Sequence, residues 1–257
     1  MTDAARNILI SGAGSGLGRA LSLYFSRKGH RVYATDKDLA TAQETASLAT
    51  SLDGRVSAHS LDVTSELDVR NFIRTLGDEP VDVLVNNAGF QHVARIEEFP
   101  QEIWDDLVSV ILKGACLLTR AILPQMRSRG FGRIINIGSI HSLVASPYKT
   151  AYVAAKHAIL GFSKVVALET ADVDITINTI CPSYIHTPLV EAQIKNQART
   201  HGISAEEVID QIMLRPMPKR QFVTCEEVAA TVEFLMSHAA RNITGQAIAI
   251  DGGWTVQ

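Results

Sequence analysis

Short apolar runs alternate along the chain with longer stretches in which apolar residues recur every three or four positions. The short runs predict seven β-strands, with the sequences NILIS, RVYAT, RVSAHSL, VDVLVNN, RIINIGS, ITINTIC and QAIAID. The longer stretches predict helices near residues 16–28, 39–50, 65–76, 101–129, 151–171 and 224–237. Strands that are apolar throughout and separated by helices are typical of a parallel sheet covered on both faces. The chain is therefore predicted to be α/β, with a doubly wound, Rossmann-like seven-stranded sheet.

One region departs from this alternation. Residues 185–220 form a long stretch, helical in places, inserted before the last strand–helix unit. Long insertions at the carboxyl edge of a sheet often serve as lids over a binding site, so a substrate lid is predicted here. A surface excursion without a role is the alternative.

Length and composition limit the classes of protein that fit. A chain of 257 residues suits one α/β domain, with two small domains as the alternative, and the absence of a linker or repeat favours a single domain over residues 1–257. The net charge of −3, without a dense basic run, gives little support to a nucleic-acid or anionic-membrane partner.

The cellular compartment is predicted from cysteines and from apolar segments. Cys116, Cys181 and Cys225 are far apart and lack disulfide or zinc spacing, as in reduced cytosolic proteins, and the histidines show no metal-ligand spacing. The first strand starts within a few residues of Met1, which leaves no room for a signal peptide, and no apolar run reaches the ~18 residues of a membrane span. We therefore expect a cytoplasmic protein, and the sequence predicts no metal-ligand residues.

A glycine-rich loop, GAGSGLG, joins the first strand to the first helix. Gly12, Gly16 and Gly18 let the backbone turn tightly and allow a pyrophosphate to approach the helix N-terminus, where free N–H groups favour anions. Asp36 closes the next strand, at about the spacing expected for an acid that binds a ribose 2′-hydroxyl. A carboxylate there would repel a 2′-phosphate, so NAD is favoured over NADP. Lys37 is interpreted as a solvated loop residue.

Three residues in the order S-x₁₂-Y-x-x-x-K predict the chemistry. Tyr152 and Lys156 lie one helical turn apart on one face, and Ser139 ends the strand RIINIGS. An ammonium group one turn from a phenol is expected to lower the phenol's pKa from about 10. Together these side chains could polarise a carbonyl oxygen and transfer a proton to it.

These motifs resemble those of the short-chain dehydrogenase/reductase family over essentially the whole chain. Further matches are Asn86-Asn87-Ala88-Gly89, Asp62-Val63, Cys181-Pro182 leading to Thr187-Pro188, and the tail ITGQAIAIDGGW. The resemblance implies a dinucleotide-dependent oxidoreductase with Ser139, Tyr152 and Lys156 as catalytic residues. Its cofactor-binding positions would be Gly12, Ser15, Gly16, Leu17, Gly18, Asp36, Asp62, Val63, Asn87, Ala88, Gly89, Tyr152, Lys156, Pro182, Ile185 and Thr187.

Within this family the chain is most similar to the bacterial D-3-hydroxybutyrate dehydrogenases, through segments such as AGFQH, TPLVEAQI and QFVT. That subfamily holds a substrate carboxylate with two Gln, a His and a Lys. The resemblance implies the substrate-binding set Gln91, Ser139, His141, Lys149, Tyr152 and Gln193, with Gln193 supplied by the lid. A cation, an imidazole and two amides suit a carboxylate.

Two positions depart from the family pattern. Ile111 stands where most members have an Asn that is linked to a water relay to the catalytic Lys, so slower proton release is expected if the Ile111 carbonyl holds the water instead. Ser183 replaces the usual Gly after Pro182, which is expected to shift the nicotinamide loop slightly.

The resemblance thus implies an NAD-dependent enzyme that reversibly oxidises D-3-hydroxybutyrate to acetoacetate, assembled as a homotetramer. One alternative is an NAD(P)-dependent reductase of another small carbonyl, such as a 3-oxoacyl thioester, a sugar or a polyol. Another is a sensor that binds a dinucleotide without catalysis, although such a protein has no need of an intact Ser, Tyr and Lys.

Overall fold

Seven parallel strands form one sheet in the computed structural model, which describes residues 5–49 and 53–256. The strands are β1 (Asn7–Ser11), β2 (Arg31–Asp36), β3 (Arg55–Ser60), β4 (Val83–Asn86), β5 (Phe131–Ile137), β6 (Asp174–Pro182) and β7 (Ala247–Ile250). Their order across the sheet is β3-β2-β1-β4-β5-β6-β7, and every neighbouring pair is parallel. The predicted doubly wound α/β class is confirmed.

The helices connect these strands and cover both faces of the sheet. They are α1 (Gly16–Arg27), α2 (Leu39–Ser47), α3 (Glu66–Leu76), α4 (Gln101–Val108), α5 (Gly114–Arg129), α6 (Thr150–Glu169), α7 (Pro188–His201), α8 (Ala205–Glu207) and α9 (Cys225–Met236). The helix predicted near residues 39–50 corresponds to α2, which ends at Ser47. The last residue of that prediction, Thr50, lies outside the described residues.

Alternate strand residues point to two separate cores because successive side chains in a strand face opposite sides of the sheet. Ile8 and Ile10 of β1 belong to the core beneath α1 and α9, together with Phe25. Leu9, between them, belongs to the opposite core beneath α3, α5 and α6, together with Ile122. Burial on both faces explains why the strands are apolar throughout and not alternating.

A short π-helical segment, Ser109–Lys113, interrupts the helix that was predicted to run unbroken over residues 101–129. With this segment the stretch Gln101–Arg129 is continuous, and both it and α6 are long and apolar enough to cross a membrane by length and composition alone. The prediction that no apolar run reaches this length counted uninterrupted apolar residues, whereas helices tolerate a few polar ones. Both stretches pack one face against the sheet, through Leu118 and Val166 among others, as helices of a protein core do.

The region predicted as a lid, residues 185–220, contains α7, α8 and a second π-helical segment, Val208–Met213. Pro188 occupies the first turn of α7, where a missing N–H costs nothing. A capping box formed by Ser204 and Glu207 starts α8. These helices enclose a small apolar cluster of their own around Val190, Ile194, Val208 and Met213. The segment thus has an internal core and is not an irregular excursion.

Candidate active site

One large cavity opens at the carboxyl ends of the strands, beside the point where the chain order reverses between β1 and β4. Parallel doubly wound sheets bind ligands at this position. The predicted site residues that line the cavity are Gly12, Ser15, Gly16, Leu17, Asp36, Asn87, Gly89, Gln91, Ser139, His141, Lys149, Tyr152, Lys156, Pro182, Ile185, Thr187 and Gln193. The fold therefore brings together loops that are as much as 180 residues apart in the sequence.

The segment from the end of β1 into the first turn of α1 requires glycine at Gly12 and Gly18. Gly12 has a φ of +64°, and a Cβ there would lie 2.8 Å from the Ala88 Cα. A Cβ on Gly18 would lie 2.2 Å from the Gly12 carbonyl oxygen. Both distances are shorter than any real contact, so main chain packs directly on main chain. This arrangement leaves the N-terminal N–H groups of α1 open to the cavity, as an anion-binding loop requires.

Asn87 joins the ends of β1 and β4 beneath that loop. Its side-chain amide donates hydrogen bonds to the Ser11 carbonyl at 2.9 Å and to the Gly12 carbonyl at 3.0 Å. Its backbone N–H in turn donates to the Ser11 hydroxyl at 3.1 Å. Asn87 therefore fixes the floor of the cavity through main-chain groups.

Asp36 lies at the end of β2 with its carboxylate already oriented. One oxygen accepts a hydrogen bond from the Gly14 N–H at 3.0 Å, and the other accepts from the Asp38 N–H at 3.1 Å. Lys37 is exposed, in agreement with its interpretation as a solvated loop residue. The geometry leaves further acceptor capacity on the Asp36 carboxylate for ribose hydroxyls.

Four of the predicted cofactor positions do not line the cavity, namely Gly18, Asp62, Val63 and Ala88. Gly18 and Ala88 lie behind the glycine loop and support it by close packing. Asp62 uses one carboxylate oxygen to accept from the Thr64 N–H and hydroxyl at 2.9 and 2.7 Å, which shapes the turn after β3. The Val63 side chain packs directly against Gly114 of α5.

The three residues of the catalytic motif meet at the centre of the cavity. Ser139 follows β5, and its hydroxyl accepts a hydrogen bond from the His141 N–H at 3.1 Å. The Ser139 side chain also interacts with the Tyr152 phenol, which lowers the Tyr152 pKa. Lys156 lies one turn further along α6, with its ammonium 5.6 Å from the Tyr152 ring centre and donating to the Ile137 carbonyl at 2.6 Å. The predicted constellation is therefore formed.

The predicted lowering of the Tyr152 pKa by Lys156 is wrong for this structure. Burial raises the pKa of Tyr152 to about 12, and only the Ser139 hydrogen bond opposes it. Burial also lowers the pKa of Lys156 to about 8, so its own charge is costly at this position. The phenol is thus protonated at neutral pH and suited to give a proton to a carbonyl oxygen.

Next to the triad, a buried cation lies among neutral partners. The Lys149 ammonium is 3.2 Å from His141 Nε2 and donates to the Tyr184 hydroxyl at 3.3 Å. Burial lowers the pKa of Lys149 to about 8. Burial, together with the nearby Lys149 charge, lowers the pKa of His141 to about 4. Among the described residues no carboxylate forms an ion pair with Lys149.

The tautomer of His141 follows from this contact. An ammonium group can only donate, so Nε2 accepts and Nδ1 carries the hydrogen. Nδ1 is buried and faces the Val144 carbonyl without a hydrogen bond of good geometry. His141 is therefore a neutral acceptor that holds the Lys149 ammonium toward the cavity.

The lid contributes one of the predicted substrate-binding side chains. The Gln193 amide on α7 donates to the side-chain oxygen of Gln91, which follows β4. Gln193 was predicted to come from the lid, and α7 indeed lies over the cavity, where Gln193 contacts Gln91. Gln91, His141, Lys149 and Gln193 together form the receptor, and the part of the cavity that they line is the receptor half.

Two aromatic side chains lie beside the receptor half. The Trp254 ring lies edge-on to the His141 ring, with the ring centres 5.9 Å apart. Tyr184, which packs against Trp254 at 6.0 Å, was missed, although it directly follows the Pro182-Ser183 pair at the carboxyl end of β6. The other lining residues not singled out from the sequence are Phe90, Ile137, Gly138, Ile140 and Val190.

Ile111 is buried within the π-helical segment. A second, small cavity lies between Ile111, Lys156 and Asn86 on the far side of the triad. No cluster of His, Cys, Asp or Glu able to hold a metal ion occurs among residues 5–49 and 53–256.

Comparison with known proteins places this geometry among oxidoreductases. Residues 12–255 match a family profile described as Enoyl-(Acyl carrier protein) reductase. The chain is 42% identical to the D-beta-hydroxybutyrate dehydrogenase of Rhizobium meliloti (strain 1021), over 98% of this chain and 99% of that one. It is 41% identical to the enzyme of the same name from Cupriavidus necator, over 98% of each chain.

A solved structure shares the fold. It is provisionally assigned as an NAD(P)-dependent gluconate 5-dehydrogenase from Beutenbergia cavernae and contains NADP at low occupancy. The TM-score is 0.89 and the identity 30%, over 100% of this chain and 99% of that one.

Proposed function

The chain belongs to the short-chain dehydrogenase/reductase family, and we propose that it is an NAD-dependent dehydrogenase that interconverts D-3-hydroxybutyrate and acetoacetate. One observation carries the choice of substrate: Lys149 is a buried cation on the cavity wall that has only neutral partners among the described residues. An unpaired charge in such a place is costly unless a ligand supplies the opposite one. A substrate carboxylate fits this requirement, and a neutral alcohol does not.

The glycine-loop half of the cavity, formed by residues 12–18 with Asp36 and Asn87, fits a dinucleotide. The space above Gly12 and Gly16 and the open N–H groups of α1 would receive the pyrophosphate. We propose NAD as the cofactor because the Asp36 carboxylate faces the place of the adenosine ribose. A bound nicotinamide supplies the acceptor or donor of a hydride.

The triad would transfer the proton. In the direction of carbonyl reduction, the protonated Tyr152 phenol donates its proton to the oxygen that gains negative charge. The Ser139 hydroxyl stabilises the same oxygen through a second hydrogen bond. In the oxidising direction Tyr152 must first lose its proton, and its raised pKa disfavours that step at neutral pH. The Lys156 ammonium would bind ribose hydroxyls of the cofactor.

The receptor would orient the substrate. The carboxylate would pair with the Lys149 ammonium and accept from the amides of Gln91 and Gln193. Because His141 accepts from Lys149, its role is to position the ammonium. With the carboxylate held at one end, the hydroxyl at carbon 3 would lie within reach of the triad, and α7 would exclude water from the site.

The decisive experiment measures the turnover of a panel of substrates through the absorbance of the reduced nicotinamide, with NAD and NADP in parallel. It compares D-3-hydroxybutyrate with 2-butanol, gluconate and a 3-oxoacyl thioester. We expect D-3-hydroxybutyrate with NAD to have the highest kcat/KM by at least tenfold. A preference for the thioester or for gluconate would replace the proposed substrate, and a lack of turnover of every compound despite NADH binding would favour the sensor.

The matched control for that panel is Lys149→Met, which keeps most of the length of the side chain and removes its charge. If the carboxylate is recognised through the ammonium, this variant loses activity toward D-3-hydroxybutyrate and keeps its low activity toward 2-butanol. Equal loss toward both compounds would show that Lys149 only supports the start of α6.

We further propose that four copies assemble through the long helices. On α6, the neighbouring apolar side chains Val165 and Leu168 are 55% and 79% exposed and would form part of the interface. Light scattering should give the mass of four chains for the parent and a smaller assembly for Leu168→Glu. Leu67→Glu, a similarly exposed position on α3, is the control and should leave the assembly unchanged.

We also propose that the protein acts in the cytoplasm. The free cysteines Cys116, Cys181 and Cys225 are compatible with a reducing compartment. Fractionation of the source cells should recover the protein with cytoplasmic markers, and recovery with membranes would contradict this proposal.

A further inference from the structure

Tyr184 connects the lid to the receptor. Its ring packs against the lid's own apolar cluster, which includes Val190 and Ile194 of α7. Its backbone carbonyl accepts a hydrogen bond from the Val223 N–H at 2.9 Å, where the chain returns from the lid. On its other side the ring lies 6.0 Å from Trp254, at an angle of 33°. These contacts hold the ring in one orientation, with its hydroxyl directed at Lys149.

The hydrogen bond between Tyr184 and Lys149 has a defined direction. The Lys149 ammonium can only donate, so the Tyr184 oxygen accepts at 3.3 Å. The phenol's own hydrogen then has no acceptor among the described residues. Burial raises the pKa of Tyr184, so this hydrogen is retained at neutral pH. The site therefore presents a fixed O–H donor beside a buried ammonium, on the wall of the cavity.

We propose that Tyr184 is a further substrate-binding residue, which accepts a hydrogen bond from Lys149 and donates its own to the substrate carboxylate. This inference rests on the proposed function, because it assumes that a carboxylate occupies the receptor. A carboxylate bound to Lys149 lies next to the Tyr184 oxygen, and its lone pairs can accept both the ammonium and the phenol hydrogens. Since the lid cluster holds the Tyr184 ring, closure of the lid and placement of the donor would occur together.

The role of the hydroxyl differs from that of the ring, and Tyr184→Phe separates them. The Phe ring keeps the packing against the lid and Trp254, and only the O–H is lost. Binding of malonate to the NADH-saturated protein, measured by isothermal titration calorimetry, should weaken about tenfold, as expected for one hydrogen bond to a charged group. The KM for D-3-hydroxybutyrate should rise by a similar factor with little change in kcat, while 2-butanol and NADH binding should be unaffected.

Tyr148→Phe is the matched control. Tyr148 directly precedes Lys149, but its side chain is exposed and does not line the cavity. Removing its hydroxyl should leave the affinity for malonate unchanged.

The outcomes distinguish this inference from the function on which it rests. If the parent and Tyr184→Phe bind malonate equally, Tyr184 is only part of the wall, and the proposed carboxylate receptor stands without it. If the NADH-saturated parent does not bind malonate, the carboxylate receptor itself is refuted, and the role of Tyr184 falls with it. A similar weakening in Tyr148→Phe would show that the effect comes from the local backbone and would overturn the inference.

Discussion

Main-chain atoms form most of the glycine-loop half of the cavity, whereas buried side chains form the receptor half. In the first, Gly12 and Gly18 pack backbone on backbone, and Asn87 bonds to two carbonyls. In the second, the side chains of Lys149 and His141 are in contact, and burial lowers the pKa of both. The first half depends on the shape of the backbone. The second half depends on a buried charge whose partners are neutral.

This difference determines how each half can fail. Main-chain groups do not titrate, and most substitutions leave them in place. The glycine-loop half is therefore sensitive mainly to side chains introduced at its glycines and to changes of the Asp36 carboxylate. The receptor concentrates its specificity in one ammonium whose charge is already costly. We therefore expect substrate binding to respond strongly to pH and to single substitutions in the receptor, and those substitutions should hardly change the affinity for the dinucleotide.

The largest effect should come from the group that lies between the two halves. Tyr152→Phe removes the transferable proton and keeps the ring, so turnover should fall by roughly 10²–10⁴-fold. NADH and malonate affinities should both stay near parental values, because neither half depends on the phenol hydrogen. Steady-state rates and calorimetric titrations measure the two separately. Near-parental turnover would remove Tyr152 from the mechanism.

Lys149→Ala should impair only the receptor. The catalytic efficiency for D-3-hydroxybutyrate should fall about ten- to hundredfold, which corresponds to ~1.5–3 kcal/mol for a lost hydrogen bond to a charged partner. Malonate should inhibit less strongly by the same factor, and the NADH dissociation constant should not change. A parallel loss of NADH affinity would mean that the two halves are not independent.

The pH dependence of malonate binding tests the charge of Lys149 without any chemical step. Because burial lowers the Lys149 pKa to about 8, the ammonium is present below that pH and is lost above it. Affinity should be constant from pH 6 to 7.5 and then weaken, approaching about tenfold per pH unit well above the pKa. Lys156 titrates in the same range, so Lys149→Ala is the control, and its profile should be flat.

Asp36→Ala tests the one side-chain charge of the glycine-loop half. The preference for NAD over NADP should fall about tenfold, because the variant loses a charged acceptor for the ribose and the repulsion of a 2′-phosphate. Malonate affinity should be unchanged. Initial rates with the two cofactors measure the preference, and a parent that uses both equally would refute our interpretation of Asp36.

The smallest effect is expected at Ile111. The backbone of the π-helical segment is formed with Ile111 in place of the Asn that the family pattern implied, so the parent should be active. Ile111→Asn should leave turnover unchanged or raise it, and solvent isotope effects on kcat would show whether proton release is faster. An inactive parent that only this substitution activates would favour the sensor.

Local patterns in the sequence were enough to predict the strands, the glycine loop and the order of the triad residues. Apolar runs buried on both faces, a glycine cluster between strand and helix, and a four-residue Tyr–Lys spacing each express a short-range rule of backbone geometry. Such rules also place Asn87, Ser139 and Pro182 at strand ends, where a parallel sheet brings them to one edge. The boundaries differed by a few residues because helix and strand ends depend on their caps.

The tertiary structure alone decided the features that depend on distant neighbours. These are the π-helical segments, the contact of Gln193 with Gln91 and the contact of Tyr184 with Lys149. It also reversed the expected shift of the Tyr152 pKa, because burial outweighs an ammonium that donates to the Ile137 carbonyl. Sequence spacing reports which residues lie one turn apart, but the cost of desolvation depends on everything packed around a group, and only the fold determines that.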